Sequence, residues 1–332
     1  MKLNNSTNNK KNIFTYWIII LFIIIFLIFP FVINAYWVDV FFFFGIYALL
    51  GLSLNVVLGE VGLFDLGHMG FMAIGAYTTA ILNVNFGIPI IILIPISAIA
   101  AGAFAYLVCS PIIHLRGDYL CIVTIGMGEI IRLTLNNNPF GVTGGPNGVF
   151  GIDFPSLGNF FVIDNSAKFY YYIWIIVGLT IIGLVNLQHS RIGRAWNCIR
   201  EDEVAAESTG IDVRFYKLLA FVLGAALAGV AGNVYATKLM MVSPESFNFM
   251  ESCMLFCIVL IGGMGSIPGV LIGAAAISLF PEFFRTFAQY RMLIFGVAMV
   301  VMMVFRPGGI WPRKRGALQL KSILTKAGTE NG

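Results

Sequence analysis

The sequence predicts an all-α polytopic membrane protein with about ten transmembrane helices, some of them short or re-entrant. Its mean hydropathy is +0.89, and hydrophobic residues make up 59% of the chain, against 11% for charged residues. Several apolar runs approach the roughly 20 residues that a helix needs to cross a bilayer. Lysine and arginine are concentrated between and beyond these runs, which is typical of proteins that cross a membrane several times.

Apolar runs bounded by turn residues divide the chain into ten predicted spans. In chain order they are 13–33, 40–58, 66–83, 89–108, 119–135, 169–187, 216–236, 251–265, 267–284 and 288–305. The first run is longer than the roughly 7 to 15 apolar residues of a signal peptide, so we expect an uncleaved helix. The eighth and ninth runs meet at GGMGSIPG (262–269), where a hairpin that dips partway into the membrane fits as well as two full crossings.

The distribution of positive charge predicts the orientation of these spans in the cytoplasmic membrane. With the N-terminus inside the cell, 15 of the 20 lysines and arginines fall on the cytoplasmic side. This predicts a disordered cytoplasmic tail at 1–12, a transmembrane domain at 13–306 and a cytoplasmic C-terminal tail at 307–332. The cytoplasmic segment 188–217 carries 10 of the 36 charged residues, and 136–168 forms an external loop rich in Gly, Asn, Pro and Asp.

Composition and spacing argue against catalysis, metal binding and nucleic-acid binding. The three histidines, His68, His114 and His189, lack zinc-ligand spacing, and the five cysteines contain no CxxC pair. The chain has no GxxxxGK[ST] phosphate loop, and its net charge of +4 belongs to the segments between spans. We therefore expect no cofactor, no metal and no nucleic-acid partner, with membrane lipid as the surroundings. A transporter of this kind uses an ion gradient or takes ATP hydrolysis from another polypeptide.

A glycine-rich break between the second and third spans is the first candidate for a solute path. The sequence GEVGLFDLGH (59–68) places Glu60 and Asp65 on either side of the break and His68 at the start of the next span. Interrupted helices often line polar paths through a membrane, and ionisable groups inside spans are functional candidates. An ordinary cytoplasmic turn, with Glu60 near the surface, explains the same residues equally well.

Two further places carry solute-path candidates. Glu129 and Arg132 lie three positions apart in the fifth span, close enough on one helix face to form an ion pair, either structural or facing a zwitterionic solute. In the external loop, Thr143, Gly144 and Gly145 begin the sequence TGGPNG, whose glycines either expose backbone groups to a ligand or only form turns.

The charged segment between the sixth and seventh spans predicts two short interfacial helices. Residues 191–200 form a basic amphipathic stretch, and residues 203–207 are strong helix formers that end before Gly210. Small alanines beside charges suit a docking surface, because another protein can approach closely while the charged rim sets the register. A solvated connecting loop is the alternative interpretation.

This segment resembles the EAAxxxG coupling motif of ABC importer permeases. Residues 204–210 read VAAESTG, so that Val204 stands in place of the leading Glu. The sequences GEVGLFDLG (59–67), LRGDYL (115–120), TGGPNG (143–148), GRAW (193–196), REDE (200–203) and GGMGS (262–266) all look like those of the LivM-type branched-chain amino acid permeases. Their order and spacing are also similar, so the resemblance covers about residues 40 to 312.

The resemblance implies a membrane subunit of an ABC importer that carries leucine, isoleucine or valine and is not itself an enzyme. The implied partners are a LivH-type permease, two cytosolic ATPases that use ATP and Mg, and an extracytoplasmic substrate-binding protein. The residues that match the coupling segment are Glu203, Ala205, Ala206, Gly210, Arg194 and Arg200, with Glu203 one place before the usual acid. The alanines are expected to be close-packed against an ATPase.

The same resemblance leaves other solutes open, because related permeases carry urea, short amides or aromatic acids. Two other classes also remain as alternatives. An ion-coupled transporter or channel would work alone, without ATP. An intramembrane enzyme would need two converging polar groups, for example Asp65 and His68.

Overall fold

The computed structural model describes residues 29–115, 117–157 and 161–283, together with 293, 296, 297, 300, 304 and 308–311. Its α-helices are α1 (Ala35–Leu54), α2 (His68–Phe86), α3 (Ile90–Ile112), α4 (Asp118–Asn136), α5 (Ser166–His189), α6 (Arg191–Glu201), α7 (Glu203–Ser208), α8 (Val213–Leu239), α9 (Phe249–Gly262) and α10 (Ile267–Phe283). Four two-residue strands form two antiparallel pairs, β1 (Val149–Phe150) with β4 (Met241–Val242) and β2 (Ser156–Leu157) with β3 (Phe161–Val162).

Among the described residues, four helical segments are long and apolar enough to cross a membrane: Ala35–Val61, Ile90–Ile112, Ser166–His189 and Val213–Leu239. The predicted spans from 40–58 to 267–284 each coincide with one helix, which confirms the all-α fold. The runs 13–33 and 288–305 fall almost entirely outside the described residues, as do the tails 1–12 and 307–332. The total of about ten helices therefore stays a prediction.

Helices α9 and α10 form a short hairpin. The 14 residues of α9 extend only about 21 Å, which is less than the hydrocarbon thickness of roughly 30 Å. The turn is tight because Gly262 and Gly269 bring their backbones into direct contact. The amides of Ile310 and Trp311 donate to the carbonyls of Ile261 and Gly262, at 2.9 and 3.0 Å, and thereby satisfy the end of α9.

The long helix α8 lies at the centre of the bundle, between α1, α2 and α3. Its glycines allow these contacts, because a Cβ at Gly229 would meet the Ser97 carbonyl of α3 and one at Gly232 would meet the Met72 carbonyl of α2. Such small residues let helices approach closely where no hydrophobic force drives association. Successive long helices run in alternating directions, so the connection between α8 and α9 lies on the face opposite to α6 and α7.

The first described long helix does not end as an α-helix. It continues into a π-helical turn (Asn55–Val61) that stops at Gly62, whose φ of +83° favours glycine. Residues 62–67 then run back into the bundle, so that α2 begins at His68 beside Ser53 of α1. Because Ser53 lies eight positions before the end of the π turn, this segment returns into the bundle by more than one helical turn. The predicted break is a broken helix inside the protein.

Candidate functional site

The helices α6 and α7 form a compact unit, and both predicted helices are confirmed. Ser190 caps α6 by accepting hydrogen bonds from the amides of Ile192 and Gly193, and Asp202 caps α7 in the same way. Helix α7 ends in a Schellman motif, in which the amide of Gly210 donates to the carbonyl of Glu207 and that of Ile211 donates to the carbonyl of Ala206. Gly210 has φ of +84°, a backbone conformation that favours glycine, and this explains why glycine occupies this position of the motif.

Side-chain contacts fix this unit to the bundle. The indole nitrogen of Trp196 donates to the Tyr216 carbonyl at 2.8 Å, and the buried Lys217 forms an ion pair with Glu203. The guanidinium of Arg200 donates through Nη1 to the carbonyl oxygen of Gly59 in the π turn. These contacts connect α6 and α7 with both α8 and the broken helix.

A second contact to the π turn corrects one expectation. Glu60 is only 3% exposed rather than near the surface, and its carboxylate accepts a hydrogen bond of 2.6 Å from the Gln188 amide. The residue is covered because the π turn packs below α6 instead of projecting into solvent.

The two alanines of the coupling motif lie on different sides of α7. Ala205 is exposed and its neighbour Val204 is 64% exposed, whereas Ala206 is 3% exposed and belongs to the protein's own core. Ala206 lies about 100° further around the helix than Ala205, on the side that packs against the rest of the chain. The expectation that Ala206 contacts another protein is therefore wrong, and Val204 and Ala205 form the outward face of α7.

Asp65 and His68 meet beneath the broken segment. Aspartate Oδ2 lies 2.8 Å from His68 Nδ1, and His68 Nε2 lies 2.7 Å from the hydroxyl oxygen of Ser53. All three side chains are at most 1% exposed, and the Ser53 hydroxyl also lies 2.8 Å from the Leu50 carbonyl. Although an Asp-His-Ser order is typical of nucleophilic catalysis, this chain of hydrogen bonds is closed to solvent and joins α2 to α1.

A cavity of about 200 Å³ opens between α1, α2, α8 and the segment that precedes α9. Its apolar lining includes Ile46 and Leu50 of α1 with Met69 and Met72 of α2. Its polar lining includes Tyr47, Tyr235, Glu245 and Glu251. The hydroxyl of Tyr47 donates to Glu251 Oε2 at 3.0 Å. Asp65 and His68 do not line this cavity, although Met69 and Met72 follow them on α2.

The predicted pair of Glu129 and Arg132 is confirmed and has a third member at the mouth of this cavity. Arg132 Nε donates to Glu129 Oε2 at 2.9 Å, and Nη1 donates to Glu245 Oε1 at 3.0 Å. The Arg132 side chain is 21% exposed, so the guanidinium is not fully enclosed by the protein. Two carboxylates therefore bind one guanidinium, and Glu251 lines the cavity as a further acidic residue.

The three loop candidates are placed at the end of α4, apart from the cavity. Thr143 is buried, and its hydroxyl donates to the Leu135 carbonyl at 2.8 Å. The amides of Thr143 and Gly144 both donate to the Asn138 side chain. Gly144 and Gly145 adopt positive φ values of 72° and 63°. In this conformation the glycines form turns, and two of the backbone donors are already used.

Sequence reasoning missed Glu245, Glu251 and Tyr47. Glu251 stands at the first position of the predicted span 251–265, so the rule that singled out Glu129 and Arg132 also applies to it. Tyr47 and Glu251 are 204 positions apart, and only the packing of α1 against α9 brings them together.

Long apolar helices and a broken helix beside a cavity are typical of a membrane permease. The chain belongs to the family described as the permease component of the branched-chain amino acid transport system, which matches residues 36–305. Like its relatives, it is a permease component and not an enzyme.

Two relatives illustrate the range of this family. The high-affinity branched-chain amino acid transport system permease protein LivM of Escherichia coli K12 is 41% identical, covering 90% of this chain and 75% of that protein. The corresponding LivH of the same organism is 26% identical, covering 80% of this chain and 91% of that protein. No solved structure matches the chain.

Proposed function

We propose that this chain is the transmembrane permease subunit of an ATP-binding cassette importer for leucine, isoleucine and valine. The observation that carries the proposal is the α6–α7 unit, which has an outward face and a direct connection to the broken helix. The names of its relatives supply the solute class, since LivM and LivH are both described as branched-chain amino acid transport permeases.

In this proposal α6 and α7 dock on a cytosolic ATPase. The exposed Val204 and Ala205 lie in a groove of that subunit, while Arg194 and Glu207 are exposed at the rim and set the register. Arg200 transmits the movement, because its guanidinium binds the Gly59 carbonyl at the end of the π turn. A rigid-body shift of α6 and α7 thereby moves the broken segment 62–67.

The broken segment in turn controls the solute path. Asp65 and His68 anchor it to Ser53, so a displacement of the π turn changes the start of α2. Glu129 and Arg132 lie at the entrance of the cavity on the opposite face of the bundle. Asp65 and His68 therefore act as positioning residues, and Glu129 and Arg132 present charge to the entering solute.

The complete importer contains further polypeptides. A LivH-type permease contributes the second half of the path, two cytosolic ATPases bind ATP and Mg, and a substrate-binding protein delivers the solute from outside. The chain lies in the cytoplasmic membrane with both termini in the cytoplasm, as the excess of positive charge on that side suggests. Thr143, Gly144 and Gly145 then belong to the surface that the binding protein approaches.

Uptake of radiolabelled leucine in the native host tests this proposal. Cells that lack the chain are expected to lose high-affinity uptake, and the intact chain supplied from a plasmid restores it. Excess isoleucine or valine should compete, whereas urea should not. Uptake that persists after ATP depletion while an ion gradient is maintained would contradict the importer mechanism.

A further inference from the structure

We infer that the cavity between α1, α2, α8 and α9 binds the solute directly, with Glu251 holding its ammonium group and the aliphatic side chain lying against α1 and α2. The inference rests on the proposed function for the identity of the solute. It goes further by assigning residues to each part of an aliphatic α-amino acid.

The size of the cavity suits a single amino acid. Its volume of about 200 Å³ lies below the roughly 300 to 1,000 Å³ that is usual for drug-sized ligands. A small solute with one short branched side chain therefore fits.

Glu251 is the acceptor for the ammonium group. It lies in the first turn of α9, and Tyr47 Oη donates to its Oε2 at 3.0 Å. Within the described residues no lysine, arginine or histidine pairs with this carboxylate, so its charge is available to a cationic ligand. The rings of Tyr47 and Tyr235 line the same cavity and add π faces, which also attract cations.

The apolar lining selects the side chain of the solute. Ile46 and Leu50 approach from α1, and Met69 and Met72 approach from α2. Methionine side chains are flexible and polarisable, so they adapt to leucine, isoleucine and valine alike. A polar side chain would lose its hydrogen bonds to water on this surface and is disfavoured.

The carboxylate of the solute lies toward Arg132. Arg132 Nη1 binds Glu245, which lines the cavity, and the Glu245 side chain is 66% exposed. An exposed ion pair contributes little stability, so an incoming carboxylate displaces Glu245 at low cost. The guanidinium then offers the bidentate geometry that carboxylates prefer.

The position of the cavity relates binding to the broken helix. Met69 and Met72 belong to the first turns of α2, directly after the hydrogen-bonded Asp65 and His68. A shift of the broken segment therefore moves Met69 and Met72 and changes the affinity for the side chain.

Ligand binding to the purified full chain tests the site. The probes are L-leucine, 3-methylbutylamine, which lacks the carboxylate, and 4-methylpentanoate, which lacks the ammonium group. We expect L-leucine and 3-methylbutylamine to raise the thermal unfolding midpoint in mild detergent and 4-methylpentanoate to leave it unchanged. Glu251→Gln should weaken the binding of 3-methylbutylamine by about 10- to 100-fold, because it removes a charged hydrogen-bond acceptor.

Two further variants make the test decisive. Tyr47→Phe removes one hydroxyl and should weaken the binding of 3-methylbutylamine by roughly 2- to 10-fold. If Glu251→Gln does not fold, the affinity of Tyr47→Phe tests the site in its place. Asp164→Asn is the matched control. Asp164 is exposed, and the hydrogen bond from Lys168 lowers its pKa and keeps it charged. Asp164 does not line the cavity. This control should bind normally.

The inference is overturned if the wild-type chain does not bind 3-methylbutylamine, or if the folded variants bind it as tightly as the wild type does. Failure of the proposed function is a separate result, namely the absence of leucine uptake in cells that contain the intact chain. Binding to the purified chain does not depend on that result.

Discussion

Gly59 is the residue on which the π turn, the α9–α10 hairpin and α6 converge. Its carbonyl accepts from Arg200, and a methyl group at this position would collide with the Asn55 side chain and the Gly265 backbone nitrogen. Asn55 cannot easily move away, because its Oδ1 accepts a hydrogen bond of 2.9 Å from the Gly265 amide. Glycine is therefore required here for space rather than for a positive φ.

Gly59→Ala is expected to destabilise the folded chain by about 1 to 3 kcal/mol, which is usual for overpacking a buried site. Gly178→Ala in α5 is the control, since no atom lies within 4 Å of the added methyl group. Thermal unfolding of the two purified variants measures the difference. Equal midpoints would mean that the π turn rearranges freely.

The sequence predicted neighbours on one helix better than partners from distant segments. The pairing of Glu129 with Arg132 follows from helical spacing alone. The contact between Arg200 and Gly59 spans 141 positions and depends on where a π turn ends, which no local pattern encodes. Ala206 was placed on the wrong side of α7 because a six-residue helix has too few positions to define its buried face.

At the scale of elements, α6 is the connection between the outward face of α7 and the broken helix. The sequence predicted both helices because their caps and glycine stop are local signals. It did not predict that the connection to the membrane domain passes through the π turn. Such turns occur frequently at functional sites, and this one lies where a movement of α6 reaches α2.

Arg200→Gln is expected to separate docking from transport. The variant keeps the outward face of α7 but loses the charged donor to the Gly59 carbonyl, so ATPase binding should persist while leucine uptake falls about tenfold or more. Co-purification and uptake are measured on the same cells. Arg191→Gln on the exposed side of α6 is the control and should transport normally. Full uptake by Arg200→Gln would exclude this path of transmission.

At the scale of the whole molecule, the described helices divide the loops between two faces. Helices α6 and α7 and the π turn lie on one face, and the β1–β4 pair and the cavity mouth lie on the other. The charge rule assigns the first face to the cytoplasm and the second to the outside, and this orientation stays a prediction. The charge rule does not decide how the hairpin of α9 and α10 lies in the membrane, because short apolar runs fit either a partial or a full crossing.

The native thiol of Cys198 provides a measurement of orientation. It is exposed on α6, whereas Cys109 and Cys257 are buried. A membrane-impermeant maleimide is expected to label Cys198 in inside-out vesicles washed free of peripheral proteins, and to leave it unlabelled in right-side-out vesicles. Because Cys121 and Cys253 are partly exposed, the result is the difference in labelling between the wild type and Cys198→Ser, which should lose the label of Cys198. Labelling in right-side-out vesicles would reverse the assigned orientation.

We propose that this chain works as a permease subunit driven by ATPases that bind at α7. The most direct measurement is purification of the tagged chain from its own host in mild detergent, with identification of the proteins that accompany it. For the wild type we predict a second permease and ATPases. For Ala205→Glu we predict loss of the ATPases with an unchanged unfolding midpoint, because Ala205 is exposed while Ala206 is buried. A wild-type chain that purifies alone and transports leucine on an ion gradient would contradict the account.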